Sequence, residues 1–469
     1  MFNLKKYKNN IAVITEKYEK YTYEDLYNIQ LSMMNFVEKR KLMIILCENT
    51  MGCLIGYIFC IIHSVVPLML DSHICISILE SYLNKYCPDY IWMPKAIQNF
   101  DNLETIYEDF GYKLIRYNTK HCIELNNELA VLLTTSGSTG NPKTVRISYN
   151  NLISNTEAII KYLEIDEKER SITSLPLYYT YGLSVVNTHL YAGACVLLTK
   201  RSVVSKDFWA FFNKFKGTSF SGVPYTYDIL RKCNFISVSI PTLKTLTQAG
   251  GALSKETNRF FYNYSLKNRV NFFVMYGQTE ATARMCYLPY KYMGTKLGSI
   301  GIPISGGRVE LIDEEGGIIN TPNKIGEIIY YGKNVSLGYA YNREDLFRGD
   351  DNKGILHTGD LSYYDSDGFL YFCGRQDRII KIMGKRIDLN DLEEKLRIKY
   401  SNYVFCFYRN KRLQIIVRSE EKYFLKSSIE TYISKLTGIH KLCLDVVLLP
   451  SLLEDSFEKT DYNGVEKIM

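Results

Sequence analysis

A run from Thr134 to Lys143 (TTSGSTGNPK) combines glycines, hydroxyl side chains and one lysine. It directly follows a short apolar run, Leu129 to Leu133. Glycines let backbone N–H groups surround an anion, the hydroxyls supply further donors, and Lys143 adds a mobile positive charge. The run therefore predicts a phosphate-binding loop. The spacing of a Walker A loop is absent, and a flexible surface turn is the alternative for this stretch taken alone.

The segments after this run alternate between short apolar stretches and helix-length amphipathic stretches, which predicts parallel βαβ units packed in layers. Asn150-Asn151 is the predicted N-cap of one helix, and Ser254 to Tyr264 is a second predicted helix. The predicted strands are Val145 to Ile147, Ser171 to Ser174, Ala194 to Leu198, Ser219 to Val223, Leu243 to Gln248 and Asn271 to Met275.

From about Gly298 onward, short β-rich pieces separated by turns indicate antiparallel sheet. Beyond Arg375 a charged segment leads to a small α/β unit with strands near Tyr403 to Tyr408 and Leu413 to Val417. We predict an α/β fold with two domains. Residues 1–375 would form layered parallel-sheet βαβ units plus a β-rich subdomain, and residues 376–469 a small α+β domain. The predicted strands of the β-rich part are Val309 to Ile312, Gly326 to Tyr331 and Phe369 to Phe372.

Composition narrows the class of protein. The chain has 469 residues, of which 46% are hydrophobic and 23% charged, as in ordinary globular proteins, so wholesale disorder is excluded. The formal charge of +7 comes from scattered basic residues, which suits an anionic ligand and does not indicate nucleic-acid binding. The 12 cysteines form no CxxC pair or zinc-type spacing. Free thiols and a first segment without an apolar signal core predict a cytoplasmic protein.

One apolar stretch, Met51 to Met69, is long enough to cross a bilayer. It contains His63 and Pro67 and follows a strand-like run, Leu42 to Cys47. A buried strand–helix–strand unit is therefore the favoured interpretation, and a membrane anchor is the alternative.

Further motifs follow the glycine-rich loop in the order found in one known family. They are Pro176 to Leu183 (PLYYTYGL), Gly250-Gly251-Ala252, Tyr276 to Glu280 (YGQTE), Thr358-Gly359-Asp360, and Gly374 to Lys381 with Gly384 and Arg386. Together with the loop they resemble the adenylate-forming, or AMP-binding, superfamily of acyl-CoA and aryl-CoA synthetases, luciferases and stand-alone adenylation enzymes. The resemblance covers essentially the whole chain from about Tyr21.

The resemblance implies a site for ATP and Mg2+. It makes Glu280 the metal ligand, Asp360 the acceptor for the ribose hydroxyls with Arg375 as an added donor, and Tyr276 the group that stacks on adenine. Glu280, Thr135 and Lys143 are also expected to act in catalysis. The implied nucleotide-binding residues are Thr134, Thr135, Ser136, Gly137, Ser138, Thr139, Gly140, Lys143, Gly251, Ala252, Tyr276, Gly277, Gln278, Thr279, Asp360, Arg375 and Arg386.

Members of this family also use a lysine near the C-terminus, on a mobile small domain, for the first half-reaction. The segment Glu458 to Tyr462 resembles their G-K-x-D-x pattern, which makes Lys459 the catalytic candidate. Glu458 replaces the usual glycine, and Lys467 is the alternative lysine. Asp377 matches the position of the hinge about which the small domain turns.

The implied reaction has two halves. A substrate carboxylate attacks the α-phosphate of ATP to give an acyl-adenylate and pyrophosphate, and a thiol or an amine then takes the acyl group and releases AMP. The residues implied for the acid pocket are Tyr179, Tyr225, Gly250 and Ala281. Amino-acid-activating members commonly have Asp where this chain has Tyr179, and a buried ammonium without a carboxylate partner is costly. Arg284 is expected either to hold a second anionic group or to contact a backbone carbonyl.

The acyl acceptor stays open between CoA, the phosphopantetheine of a separate carrier protein, and an amine. The main prediction is an acid–thiol ligase of the acyl-CoA synthetase type. Its alternatives are an amino-acid-activating or amide-forming enzyme and, from another class, a paralogue that binds nucleotide without turnover. Thr144 and Glu458, which depart from the family pattern, support the last alternative.

Overall fold

The computed structural model describes residues 1–98, 100, 103–117, 124–135, 143–233, 235, 238–382, 385–400, 404–409, 412–418 and 424–449. Ten α-helices lie in these ranges. They are α1 Tyr23–Leu31, α2 Met51–His63, α3 Ile76–Tyr86, α4 Tyr149–Leu163, α5 Thr180–Ala192, α6 Lys206–Lys214, α7 Pro224–Lys232, α8 Lys255–Asn268, α9 Leu389–Lys399 and α10 Phe424–Thr437.

The strands of the described ranges fall into two large sheets and three small ones. They are β1 Ile11–Thr15, β2 Lys20–Thr22, β3 Leu42–Cys47, β4 Val66–Asp71, β5 Tyr90–Pro94, β6 Thr105–Asp109, β7 Tyr112–Arg116, β8 Leu129–Thr134, β9 Thr144–Ser148, β10 Arg170–Ile172, β11 Cys195–Leu198, β12 Ser219–Gly222, β13 Thr245–Gln248, β14 Asn271–Tyr276, β15 Cys286–Leu288, β16 Ile302–Pro303, β17 Gly307–Ile312, β18 Gly326–Gly332, β19 Tyr339–Ala340, β20 Ile355–Tyr364, β21 Leu370–Arg375, β22 Ile379–Ile382, β23 Lys385–Asp388, β24 Val404–Arg409, β25 Arg412–Arg418 and β26 Leu444–Leu449.

The first large sheet has eight strands in the order β19-β9-β8-β4-β3-β5-β7-β6. Its centre, β5-β3-β4-β8, is parallel, whereas β9 returns antiparallel to β8. Helix α2 is apolar on all sides and buried along almost its whole length against this sheet. The buried strand–helix–strand interpretation of Met51 to Met69 is therefore confirmed. None of the helices in the described ranges is long and apolar enough to cross a bilayer.

The second large sheet has nine strands in the order β16-β15-β14-β13-β12-β10-β11-β1-β2. The run from β14 to β1 is parallel, α5 packs on β10 and β11 of it, and α4 packs between α5 and the strands β8 and β9 of the first sheet. Parallel strands direct their carboxyl ends to the same edge, where ligands of α/β proteins usually bind. The predicted layered βαβ architecture is confirmed.

One predicted helix start is wrong. Helix α4 does not begin at Asn150-Asn151, because Ser148 is its N-cap and accepts a hydrogen bond from the N–H of Asn151. The Asn151 side chain accepts from the N–H of Ser148 in return, completing a capping box. Its Nδ2 also donates to the carbonyls of Lys333 and Val335, both at 2.7 Å. Long-range contacts therefore fix Asn151 inside the first turn.

The antiparallel region after residue 298 is confirmed as a four-stranded sheet, β17-β18-β20-β21. Strand β21 ends at Arg375, one 3-10 turn covers Gln376–Arg378, and β22 follows. Beyond this turn lie the ribbon β22-β23 and the sheet β24-β25-β26, which share an apolar core drawn from residues 380 to 446. The division into domains 1–375 and 376–469 stays a prediction, with its boundary at this turn.

Candidate active site

The predicted phosphate loop joins two adjacent antiparallel strands. Thr134 at the end of β8 lies opposite Thr144 at the start of β9. Thr135 Oγ1 is buried and has no hydrogen-bond partner among the described residues. Thr144, where the family usually has glycine, is buried and contacts the Tyr86 hydroxyl at 3.0 Å. The loop residues Ser136, Gly137, Ser138, Thr139 and Gly140 lie outside the described residues.

Lys143, at the end of this loop, contacts Tyr339, a residue that the sequence analysis does not identify. Its Nζ lies 3.8 Å from the ring centroid of Tyr339, in a cation–π contact. The Tyr339 hydroxyl donates to Glu280 Oε1 at 2.7 Å. Burial and then the Glu280 carboxylate raise the pKa of Tyr339 well above its usual range, so the phenol stays protonated as the donor. Lys143 and Glu280 thus belong to one cluster, joined by Tyr339.

Tyr339 enters this cluster through β19, a strand that pairs with β9 in antiparallel register. Glu280 lies in a 3-10 turn, Thr279–Ala281, directly after β14. The backbone carbonyl of Glu280 accepts from the N–H of Ser336, which ties this turn to the segment before β19. No sequence motif marks Tyr339, because its role follows only from this strand pairing.

Asp360 is the centre of a second cluster, on β20. This buried carboxylate accepts from the Tyr276 hydroxyl and from Gln278 Nε2, the latter at 2.8 Å. Arg375, opposite Asp360 in the β20-β21 pair, has its Nε 3.4 Å from Asp360 Oδ1 and is half exposed. Burial, followed by the Asp360 charge, raises the pKa of Tyr276. Three of the residues predicted to bind the nucleotide therefore contact Asp360. The cluster combines a buried carboxylate with a half-exposed donor, Arg375.

At two of the predicted glycines, Gly250 and Gly277, neighbouring groups lie close to the backbone. Gly250 has a φ of 84°, and a Cβ there would lie 2.5 Å from the Tyr179 hydroxyl. Gly277 lies so close to the carbonyl of Ala283 that no side chain would fit. Gly251 follows Gly250 and its carbonyl accepts from Gln248 Nε2 at 2.7 Å, with Ala252 next in the turn. Tyr179 thus lies against the predicted adenine-side loop.

The remaining predicted residues are spread more widely. Ala281 is fully buried, whereas Tyr225 on α7 is half exposed. Asp377 lies in the 3-10 turn after β21, and Arg386 lies in β23. Lys459 and Lys467 lie outside the described residues. No group of three or more metal-ligating side chains gathers within the described ranges.

A cavity of about 220 Å³ lies under α5, against the strands β12, β13 and β14. Its lining includes Tyr181, Ser184, Thr247, Met275 and Arg284. None of the four residues predicted for the acid pocket lines this cavity. The candidate site thus comprises two charged clusters, which both include residues of the segment 276–280, and a cavity lined by residues of α5 and of β12 to β14.

A family model described as AMP-binding enzyme matches residues 3–340 of the chain. The chain belongs to the AMP-binding enzyme family. This match confirms the resemblance to the AMP-binding family, and it covers the motifs from Thr134 to Glu280, whereas the motifs at 358–360 and 374–386 lie beyond the matched residues.

Several CoA ligases are similar to this chain. A 2-succinylbenzoate–CoA ligase of Bacillus cereus is 30% identical over 271 residues, 57% of this chain and 54% of that protein. An oxalate–CoA ligase of Arabidopsis thaliana is 32% identical over 267 residues, 55% of this chain and 50% of that protein. The chain therefore spans about half the length of the relatives it matches.

The AMP-binding fold extends over nearly the whole chain. The o-succinylbenzoate CoA synthetase of Bacillus subtilis, solved with ATP and magnesium ion, superposes with a TM-score of 0.76 at 22% identity. The superposition covers 96% of this chain and 96% of that chain. Both large sheets and the region beyond β21 thus have counterparts in this fold.

Proposed function

We propose that the chain is an ATP-dependent carboxylic acid ligase of the acid–thiol type. The observation that carries this proposal is that two charged clusters meet at the segment 276–280, where β14 ends. Lys143, Tyr339 and Glu280 form one, and Tyr276, Gln278 and Asp360 form the other. A cationic group beside the end of a phosphate-type loop suits a triphosphate, and a buried carboxylate suits ribose hydroxyls.

In the first half-reaction, a carboxylate oxygen of the acid attacks the α-phosphorus of ATP, and pyrophosphate leaves. Such transfer depends on positioning and on charge stabilisation more than on covalent participation by the protein. We assign these tasks to Lys143 and the Thr134–Gly140 loop, with Lys459 as the additional cation. Thr135 Oγ1, buried without a described partner, supplies a free hydroxyl at the loop.

Mg2+ fits the donor set at Glu280. Mg2+ binds through one or two carboxylates and completes its shell with phosphate oxygens and water. Glu280 offers one carboxylate, whose Oε1 is oriented by the Tyr339 hydroxyl. When bound there, Mg2+ would neutralise phosphate charge. Asp360, Tyr276 and Gln278 would hold the nucleoside.

In the second half-reaction, a thiol attacks the acyl carbon and AMP leaves. We propose CoA as the thiol because the relatives named above are CoA ligases, and the phosphopantetheine of a carrier protein as the alternative. The hinge role of Asp377 and the rotation of residues 376–469 between the half-reactions belong to this proposal. We also propose a cytoplasmic location, supported by the buried thiols of Cys47, Cys53, Cys60, Cys195, Cys286 and Cys406.

An α-amino acid is disfavoured as substrate on charge grounds. The predicted ammonium partner position is Tyr179, and the buried charge that lines the cavity is the guanidinium of Arg284. A second cation beside this group would be repelled at low local dielectric.

The test is acid-dependent release of pyrophosphate with ATP and Mg2+, with hydroxylamine as a trap for the acyl-adenylate. The acids are a panel of aryl, short-chain, long-chain and amino acids. We expect release and hydroxamate formation with at least one acid, and release of AMP when CoA replaces hydroxylamine. ATP binding without acid-dependent release across the panel would instead favour a nucleotide-binding paralogue without turnover.

A further inference from the structure

Arg284 is a buried guanidinium whose partners are all neutral. It is 3% exposed, and its Nη1 donates to the carbonyl of Ala283 at 3.2 Å. Its Nε lies 3.3 Å from the Met275 sulfur and its Nη2 3.5 Å from Ser184 Oγ, and the Tyr162 hydroxyl is a further neutral partner. No carboxylate of the described residues forms an ion pair with it. An isolated buried charge is costly unless it is paired, so this arrangement indicates a missing anion.

The backbone holds Arg284 in place before any ligand arrives. Its carbonyl accepts from Asn155 Nδ2 and from Asn334 Nδ2, each at 2.8 Å. The preceding Ala283 has a φ of 111°, a conformation that is strained for an L-residue and persists only where the surroundings impose it. The guanidinium also lies 4.0 Å from the ring centroid of Tyr181. The side chain is therefore positioned in advance.

The cavity beside Arg284 is lined by hydroxyl groups that can orient an anion. Tyr181 and Ser221 each contact Thr247 Oγ1 at 2.8 Å, and Ser184 Oγ faces the guanidinium. At about 220 Å³ the cavity has room for several water-sized groups, since one water takes roughly 30 Å³. A small organic acid fits this space.

The other titratable groups of the lining do not cancel the Arg284 charge. Lys244 Nζ and Glu169 Oε1 pair with each other at 2.6 Å, and Glu164 is exposed. His189 is buried, and burial lowers its pKa, which keeps the imidazole neutral near pH 7. The cavity interior thus carries a single positive charge.

The cavity also adjoins the nucleotide side. Thr180, next to the cavity residue Tyr181, contacts Thr279 Oγ1 at 2.8 Å through its own hydroxyl. Thr279 precedes Glu280 of the charged cluster. Thr180 thus connects helix α5, which lines the cavity, to the turn that carries Glu280.

We propose that Arg284 determines specificity by binding a second anionic group, so that the acid is a compact dicarboxylate. This inference rests on the proposed function, because one carboxylate would be adenylated while the other pairs with Arg284. A guanidinium matches a carboxylate in bidentate geometry, which a lysine does not reproduce.

The test compares dianions with neutral isosteres. Succinate, glutarate and benzene-1,2-dicarboxylate, and the monoamide of each, are titrated calorimetrically into the full chain. α,β-Methylene-ATP and Mg2+ are present, because this nucleotide cannot release pyrophosphate. We expect at least one dicarboxylate to bind about 30-fold or more tightly than its monoamide, as for a buried charge pair.

The variants identify the group responsible. Arg284→Gln should remove the preference for the dianion, and Arg284→Lys should keep part of it. Arg308→Gln is the matched control, since Arg308 is exposed on β17 and paired with Glu310. Urea unfolding of each variant checks that the fold is intact. Equal binding of dianion and monoamide, retention of the preference in Arg284→Gln, or no binding of any acid would overturn the inference.

Pyrophosphate release by the same acids separates this inference from the proposed function. Arg284-dependent binding without release would leave the anion site intact and refute the ligase. Release from monocarboxylates at full rate, with no dependence on Arg284, would leave the ligase intact and refute the anion site.

Discussion

Buried arginines occur beside both large sheets, but their surroundings are opposite. At the edge of the eight-stranded sheet, Arg146 pairs with Asp351 at 2.5 Å and Arg343 pairs with Asp89 at 2.9 Å. Beside the nine-stranded sheet, Arg284 is equally buried and has only neutral partners among the described residues. Carboxylates of the chain pair with Arg146 and Arg343, which we call the matched arginines. Arg284, the unmatched arginine, lies at a cavity.

The matched arginines hold distant segments together. Arg146 donates to the carbonyls of Leu337, Tyr339 and Arg348, which fixes β19 and the segment that follows it. This is the strand that brings Tyr339 to Glu280. At the eight-stranded sheet, buried arginines thus stabilise the segments that form the site. Beside the nine-stranded sheet, a buried arginine is instead available to a ligand.

The largest effect should come from breaking a matched pair. Arg343→Met leaves the buried Asp89 with only Lys41, whose Nζ is 3.8 Å away, as a cationic partner, and should lower the free energy of unfolding by about 3–5 kcal/mol. Urea unfolding followed by circular dichroism measures this change. A loss below about 1 kcal/mol would contradict the distinction between matched and unmatched arginines.

The next largest effect is expected for Lys459, the lysine near the C-terminus that we assign to the first half-reaction. Lys459→Ala should slow adenylate formation by about 10²–10³-fold or more, since it removes a preorganised charge from the transition state. Thioester formation from a supplied acyl-adenylate should be largely spared. Lys467→Ala is the matched control, and equal losses in both half-reactions would refute the assigned role of Lys459.

Asp360 tests whether the second cluster binds the nucleoside. Asp360→Asn weakens an acceptor for hydroxyl donors, and should raise the apparent KM for ATP by about 10–10²-fold. The acid preference should not change, because Asp360 does not line the cavity. Asp313→Asn, in a turn of the β-rich sheet, is the control. An unchanged ATP requirement would argue against a ribose contact.

Substitution of Glu280 tests whether this carboxylate binds Mg2+, and its expected effect is smaller than that of Asp360→Asn. Glu280→Gln should raise the Mg2+ concentration for half-maximal rate by about tenfold, because a hard cation loses an anionic ligand. Tyr339→Phe keeps the carboxylate and removes only its 2.7 Å donor, so its shift should be smaller. Identical Mg2+ dependence of wild type and Glu280→Gln would exclude the metal role.

The smallest effect concerns the unmatched arginine. Arg284→Met removes a buried charge without leaving a carboxylate unpaired, so the free energy of unfolding should change by less than about 1 kcal/mol or rise. The difference between Arg284→Met and Arg343→Met in the free energy of unfolding tests most directly whether Arg284 lacks a carboxylate partner. A loss of about 3–5 kcal/mol, as in Arg343→Met, would show that Arg284 has a structural partner.

Local patterns were enough to predict much of the fold. The apolar runs at β8, β12, β13 and β14 predicted strands to within two residues, because period and composition carry that information. The predicted start of α4 at Asn150-Asn151 is wrong, because residue type alone favours these asparagines as the N-cap whereas Ser148 is the N-cap. The Asn151 side chain bonds to the carbonyls of Lys333 and Val335, which no local pattern announces.

By itself, the sequence determined the family, the order of the motifs and the residues that bear charge in them, because these depend on residue type and spacing along the chain. Only the tertiary structure decided that Tyr339 joins Lys143 to Glu280, and that Arg284 lies at a cavity without a carboxylate while Arg146 and Arg343 are paired. The physical reason is that strand pairing and burial bring together residues tens to hundreds of positions apart. Whether a buried charge has a partner is a property of that packing.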